Sequence, residues 1–79
     1  MARRSKFEIW AEVLEACTRS SHTQSWLLRE LRLKTSSIKA ALDFLVNAGL
    51  VEQIANLESD TIEYQTTERG EEALQQYYE

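Results

Sequence analysis

The stretch TSSIKAALDFLVNAGLV, residues 35–51, joins an amphipathic helix pattern to the signals that end a helix and begin a strand. A hydroxyl of Thr35 or Ser36 can cap the start of the helix by accepting a hydrogen bond from a backbone N–H. Gly49 follows the last periodic residue, where a left-handed backbone closes a helix at low cost. The stretch therefore predicts a helix over residues 36–48, with these apolar residues on its buried side: Ile38, Ala41, Leu42 and Leu45.

The residues that follow Gly49 predict a β-hairpin and a last helix. Two runs of strand-compatible residues, 50–57 and 61–66, are joined by the polar turn Glu58-Ser59-Asp60. Thr67 can cap a helix behind this hairpin. The last helix carries three large apolar side chains: Leu74, Tyr77 and Tyr78.

Two further helices are predicted upstream. The first spans residues 5–19, where Ser5 is a good N-cap and Glu8 completes a capping box. The second follows at residues 24–32, and residues 20–23 between them are expected to form a connection because they show no apolar periodicity. The buried sides are Phe7, Trp10, Val13, Leu14 and Cys17 in the first helix, and Leu27, Leu28 and Leu31 in the second.

The order of these elements predicts the fold. Three helices, a two-stranded β-wing and a C-terminal helix make a winged helix-turn-helix, a mainly α (α+β) architecture. The 79 residues suffice for a single domain over residues 1–79, and two glycines with no proline leave little signal for long loops.

Three stretches also carry a family resemblance, and they lie at the beginning, middle and end of the chain: residues 4–9 (RSKFEI), 42–52 (LDFLVNAGLVE) and 64–70 (YQTTERG). Through them the chain resembles the small archaeal winged-helix DNA-binding proteins, a family of predicted transcriptional regulators that includes chromatin-type proteins. The resemblance implies DNA binding through the third helix and, in many relatives, dimerisation through the C-terminal helix.

The charges divide the chain into a basic and an acidic half. Residues 1–40 hold eight basic and four acidic residues, a net charge of +4, whereas residues 41–79 hold one basic and nine acidic residues, a net charge of −8. One half can therefore face a polyanion while the other avoids it, although two ordinary solvated surfaces would give the same count.

The third helix supplies the candidate base-reading residues. Projected at 100° per residue, Ile38 and Leu42 point inward, and a second set of side chains points outward. Lysine and serine can donate to base edges or phosphates, and alanine can contact a thymine methyl group. The candidates are Ser36, Ser37 (on the flank), Lys39, Ala40 and Asp43.

Basic residues outside this helix are candidates for phosphate contacts that fix the protein on DNA without reading sequence. They are Arg29, Arg32 and Lys34 beside the third helix, and Arg3, Arg4 and Lys6 before the first. Ordinary surface charge is the alternative for all six. The acidic turn at residues 58–60 makes insertion of the wing into DNA unfavourable.

Surplus apolar residues indicate a partner surface. Ile9 and Trp26 fall off the buried stripes of their helices, and Tyr77 and Tyr78 cannot both point inward from one helix. We expect a homodimer packed through the last helix with help from the first, with partial burial at the edge of the core as the alternative. The candidate interface residues are Ile9, Leu74, Tyr77 and Tyr78.

The sequence lacks the arrangements that catalysis or metal binding requires. One cysteine, Cys17, and one histidine, His22, cannot form a zinc site, and they are interpreted as a buried small hydrophobe and a loop residue. No nucleophile–base pair and no glycine-rich phosphate loop is present. We therefore expect no enzyme, no cofactor and no metal. With neither a signal peptide nor an apolar membrane segment, we expect a cytoplasmic protein.

Two functions fit this sequence. The first is a sequence-specific double-stranded DNA-binding regulator that reads the major groove with the third helix. The alternative is a winged-helix protein–protein interaction module without DNA binding, which the net charge of −4 and the single lysine of the third helix favour.

Overall fold

The computed structural model describes residues 5–78, which form four helices and a three-stranded antiparallel sheet. In chain order the elements are α1 (Lys6–Arg19), β1 (His22–Thr23), α2 (Gln24–Leu31), α3 (Thr35–Asn47), β2 (Val51–Asn56), β3 (Thr61–Thr66) and α4 (Glu68–Tyr77). The predicted order of helix, helix-turn-helix, hairpin and helix is confirmed, and so is the winged helix-turn-helix class.

The sheet contains one strand that the sequence did not predict. The strand order is β1-β3-β2, and β1 pairs with β3 through His22 opposite Tyr64 and Thr23 opposite Glu63. The expectation that residues 20–23 form only a connection is therefore wrong at residues 22 and 23. Two residues are too few to show the alternation that indicates a strand, so only the tertiary position of β3 brings this pairing about.

Side-chain caps fix the start of three helices. In each case a hydroxyl one residue before the helix accepts a backbone N–H bond, which satisfies one of the N–H groups left open at a helix start. The bonds run from Glu8 N–H to Ser5 Oγ (3.2 Å), from Trp26 N–H to Thr23 Oγ1 (3.1 Å) and from Gly70 N–H to Thr67 Oγ1 (3.1 Å).

The start of α3 differs from the prediction. Its N-cap is Lys34, which has an extended backbone and makes no side-chain capping bond, so the expected cap by Thr35 or Ser36 is wrong. The helix begins earlier because Arg32 takes a left-handed conformation (φ 53°) and turns the chain sharply after α2. Thr35 is then already helical, and its backbone is not in the extended conformation of a capping residue.

The core lies between α1, α2, α3 and the base of the wing. Most of the predicted stripe residues are buried in it, but Phe7 is 58% exposed, and Trp10, Leu28 and Leu31 are only half-buried. Thr66 is a buried polar residue, and its hydroxyl donates to the Leu14 carbonyl oxygen at 2.7 Å. The main core cluster consists of Val13, Leu14, Cys17, Leu27, Ile38, Leu42, Leu45 and Val51.

The junction between α3, the wing and α4 depends on two glycines. Gly49 has a φ of +77°, which confirms the left-handed residue predicted after α3. A Cβ atom on Gly70 would collide with the Leu50 carbonyl oxygen and with Thr66 Cγ2. The close approach at Gly70 lets the Thr67 N–H donate to the same Leu50 oxygen (3.0 Å). This junction holds α4 against the base of the wing.

Candidate nucleic-acid interface

One face of α3 points away from the core. Ile38, Leu42 and Leu45 are buried on its inner side. The outer side carries short or polar side chains, and the structure places all the predicted base-reading residues on it or at its edge. Ser36, Lys39, Ala40, Asp43 and Asn47 are exposed, and Ser37 is half-buried at the edge that faces α1.

Basic side chains lie on α2 and in the turn before α3. Arg29, Arg32 and Lys34 are all exposed. The left-handed Arg32 donates its N–H to the Leu28 carbonyl oxygen, and Leu33 N–H reaches the same oxygen at 3.3 Å. The turn is therefore fixed by backbone bonds, which hold these cations beside the start of α3.

Lys6 lies over an aromatic cluster that the sequence analysis did not identify. Trp10 stacks on Phe44 with ring centroids 4.1 Å apart, and Phe7 meets Trp10 edge-on at 5.2 Å. The Lys6 ammonium lies 5.8 Å from the centroids of both Phe7 and Trp10. We call Phe7, Trp10 and Phe44 the aromatic cluster; it sets the position of Lys6 at the α1–α3 edge. Arg3 and Arg4, the other members of the predicted basic arm, lie outside the described residues.

This cluster has little signal in the sequence because Phe44 falls off the buried stripe of α3, and in the structure its side chain is 44% exposed. Helical periodicity predicts which face of a helix a residue lies on, but it does not show which residues of a second helix contact that face. The predicted buried stripe of α1 includes Phe7 and Trp10, but no local pattern indicates that Phe44 of α3 meets them.

The wing is tied to the body of the protein by Glu63. Its carboxylate accepts hydrogen bonds from Ser21 Oγ (2.5 Å) and Asn56 Nδ2 (3.0 Å). These two bonds lower the pKa of Glu63, with the Ser21 bond contributing most. Asn56 Oδ1 also accepts from the Glu58 and Ser59 N–H groups (3.1 and 3.4 Å). The wing turn is thus held by hydrogen bonds and carries exposed carboxylates.

The predicted interface residues are divided between the surface and the core edge. Tyr77 and Tyr78 are 45% and 63% exposed, whereas Ile9 and Leu74 are half-buried and pack against the core. The Tyr78 hydroxyl donates to Glu15 Oε2 at 2.6 Å, and this bond raises the pKa of Tyr78. Next to Tyr77 an apolar groove of about 150 Å³ runs between α1 and α4, lined by Phe7, Trp10, Ala11, Leu14, Leu45, Leu50, Ala73, Leu74 and Tyr77.

Cys17 and His22 are both packed against other parts of the protein. Cys17 is buried, and burial raises the pKa of its thiol to about 11, as expected for a packed small hydrophobe. His22 lies in β1 and stacks on Trp26 with ring centroids 3.5 Å apart. Across residues 5–78 there is no group of three or more side chains suited to hold a metal ion. Within the same range, no helix is long and apolar enough to cross a membrane.

Comparison with known proteins places this fold in a family. A family model described as winged helix-turn-helix matches residues 3–79. Among solved structures, the transcriptional regulator BldR from Sulfolobus solfataricus has a similar fold, with a TM-score of 0.79 at 24% sequence identity. The match covers 86% of this chain and 50% of that chain, so the chain spans about half the length of BldR. No curated protein matches the sequence significantly.

The likeness to BldR shows the shared fold, and the family match extends over nearly the whole sequence. Both agree with the winged helix-turn-helix architecture of the structure. The chain belongs to the winged helix-turn-helix family.

Proposed function

We propose that the chain is a sequence-specific double-stranded DNA-binding protein, a transcriptional regulator that reads the major groove with α3. The exposed face of α3 carries this proposal, since its side chains are short or polar while its opposite face is anchored in the core. The second helix of a helix-turn-helix enters the major groove, which is about 12 Å wide and admits one α-helix. The fold shared with BldR, described as a transcriptional regulator, supports the same function.

Base contacts would come from four positions on this face. Lys39 can donate to the O6 and N7 acceptors of guanine, and Asp43 can accept from the amino group of cytosine. Ala40 leaves room for a thymine methyl group, and Ser36, in the first turn, can bond to a base edge or a phosphate. Ser37, which is half-buried, is suited to the flanking phosphate. α3 would then present both hydrogen-bond donors and hydrogen-bond acceptors to the bases.

Phosphate contacts would come from the basic side chains around α3. Arg29 lies in the last turn of α2, Arg32 and Lys34 follow its end, and Lys6 lies on the other side, at the α1–α3 edge. Arg3 and Arg4 precede Lys6 in the sequence and would extend this side. The two groups flank the recognition helix, as they must if each contacts one of the strands that border a major groove.

A homodimer would double the number of base contacts. The exposed rings of Phe7 and Tyr77 border the apolar groove between α1 and α4, and Tyr78 lies beside them. We propose that a second copy covers this groove, which Leu74 lines, and reaches Ile9 at the neighbouring α1–α3 edge. A two-fold partner would present two α3 helices about 34 Å apart, to successive major grooves. We also propose that the protein acts in the cytoplasm, without catalysis and without a cofactor.

Selection of bound sequences from random duplexes tests this function. We expect enrichment of one short motif, repeated as two half-sites about one helical turn apart. The Lys39→Ala variant, selected in parallel, should lose preference at one position in each half-site. If the wild-type chain enriches no motif and causes no shift of generic duplex DNA, the protein-interaction module is the correct function instead.

A further inference from the structure

Trp10 belongs to two grooves at once. It lines the apolar groove between α1 and α4, together with Phe7 and Tyr77. It also lines a second groove, of about 270 Å³, between α1 and α3. Lys6 lines this second groove, and so does Ala40 of the outer face of α3. One side chain therefore forms part of both the proposed dimer interface and the edge of the proposed DNA interface.

The aromatic cluster also holds Lys6. Its ammonium lies 5.8 Å from the ring centroids of both Phe7 and Trp10, a distance at which ring faces attract a cation. Trp10 is in turn stacked on Phe44, so α3 supports the rings under Lys6. Lys6 itself is exposed, and an ammonium can donate several hydrogen bonds, so it can contact a phosphate while it lies over the rings. The position of this cation therefore depends on where Phe7 and Trp10 lie.

Phe7 is the member of the cluster that a second copy would affect most. Its side chain is 58% exposed, and it lines the groove between α1 and α4. A second copy on this groove would cover the ring and remove positions that the ring can take in solvent. Side chains that are already fixed lose less entropy in a later contact. Lys6 would then lie over rings with fixed positions, and its contact with a phosphate would cost less entropy.

We propose that Phe7 and Trp10 link dimerisation to DNA binding. A second copy in the α1–α4 groove fixes Phe7 against Trp10, and the two rings hold Lys6 toward a phosphate at the α1–α3 edge. This inference rests on the proposed DNA-binding function and on the proposed dimer. It adds a linkage that acts within one copy and does not require the second copy to touch DNA. Such a linkage is reciprocal, so DNA bound to one copy should strengthen the dimer by the same factor.

A short duplex that carries one half-site and no further DNA isolates this effect. The second copy of a dimer cannot reach DNA on this duplex, so any gain in affinity on dimerisation must come through the protein. We expect each copy in the dimer to bind it about fivefold more tightly than the monomer does, the lower end of the range for coupled sites. Light scattering gives the dimer dissociation constant, and fluorescence anisotropy of the labelled duplex over the same protein concentrations then gives the two affinities.

Lys6→Ala and Phe7→Leu test whether the linkage depends on the aromatic cluster. Each should reduce the ratio of dimer affinity to monomer affinity from about fivefold to about onefold. Phe7→Leu keeps an apolar side chain in the groove but removes a ring under Lys6, whereas Phe7→Tyr keeps the ring face and should keep the ratio. Lys34→Ala is the matched control, because it removes an exposed lysine in the turn before α3. It should weaken binding by monomer and dimer alike and leave the ratio unchanged.

The outcomes separate this inference from the proposals on which it rests. A wild-type chain that forms the dimer and binds the half-site duplex, but with equal affinity as monomer and dimer, overturns the inference alone. A ratio that persists unchanged in Lys6→Ala also overturns it. A wild-type chain that stays monomeric overturns the dimer and this inference together. Failure of the wild-type chain to bind any duplex overturns the DNA-binding function and this inference together.

Discussion

At Gly70 two parts of the chain approach each other closely. A methyl group there would meet the Leu50 carbonyl oxygen, which cannot move without disturbing its bond from the Thr67 N–H. We expect Gly70→Ala to lower the free energy of unfolding by about 2 kcal/mol, within the range for overpacked positions. Denaturant titration measures this change. Glu72→Ala, an exposed change in the same helix, should stay within about 0.5 kcal/mol of the wild type.

Lys39, assigned to a base contact, and Ser37, assigned to the flanking phosphate, test the DNA-contacting surface of α3. We expect Lys39→Ala and Ser37→Ala each to weaken binding to a selected duplex by about 1–3 kcal/mol. Neither side chain is part of the buried core, so the fold should persist in circular dichroism. Fluorescence anisotropy with the selected duplex gives the affinities. Wild-type affinity in both variants would show that α3 does not read this sequence.

At the scale of elements, the wing should depend on the ionised form of Glu63. Its pKa lies below the ordinary value of 4.5 because Ser21 and Asn56 donate hydrogen bonds to the carboxylate. A lowered pKa means that the folded state favours the charged form, so the stabilisation is complete above that ordinary value. It is lost as the pH falls through the lowered pKa of the folded state.

We therefore expect Glu63→Gln to lower the melting temperature at neutral pH, and the difference from the wild type to shrink in acid. Thermal unfolding followed from neutral pH to pH 3 measures this difference. Glu52→Gln removes another carboxylate from the same face of the wing and controls for the loss of one charge. A difference that stays constant down to pH 3 would contradict the role assigned to Glu63.

The elements that could be predicted from the sequence are those with local signals. The apolar stripe of α3, the left-handed Gly49 and the Thr67 cap are decided by neighbouring residues, and all three predictions are confirmed. The strand at residues 22 and 23, the Lys34 cap and the stacking of Phe44 on Trp10 depend on how distant segments meet. Periodicity carries no information on contacts between distant segments, so these features could be seen only in the structure.

The candidate site could be predicted in part, for the same reason. Helical projection placed Ser36, Lys39, Ala40 and Asp43 on the outer face of α3, where the structure has them exposed. It did not show that Lys6 lies over the aromatic cluster, nor that Ile9 is half-buried against the core. The function of these residues is a separate question from their position, and the binding experiments address it.

At the scale of the whole molecule, the apolar groove predicts a dimer. Light scattering at high micromolar concentration should give twice the monomer mass of 9.2 kDa. Replacing both Phe7 and Tyr77 by alanine removes exposed apolar area beside the groove and should shift the equilibrium toward the monomer. Leu57→Ser, an exposed apolar change away from the groove, should leave the dimer intact. A wild-type monomer with and without DNA would exclude this interface.

The division of charge leads to the most general prediction, which is that the basic half of the chain faces DNA and the acidic half faces away. Phosphate contacts release counterions, so each contact contributes about 0.9 to the slope of log K against log salt. Removing one contact should therefore weaken binding to all sequences alike. Arg29, beside α3, is the best residue to remove, since the left-handed backbone of Arg32 would complicate a change there.

The most direct test is a salt titration of duplex affinity for wild type, Arg29→Ala and Arg69→Ala. Arg69 is the matched control, because it is an exposed arginine of α4 in the acidic half. We expect a linear fall of log K with log salt in the wild type, a slope shallower by about 0.9 in Arg29→Ala, and an unchanged slope in Arg69→Ala. Wild-type affinity that does not depend on salt, or an unchanged slope in Arg29→Ala, would contradict the assignment of the basic half to DNA.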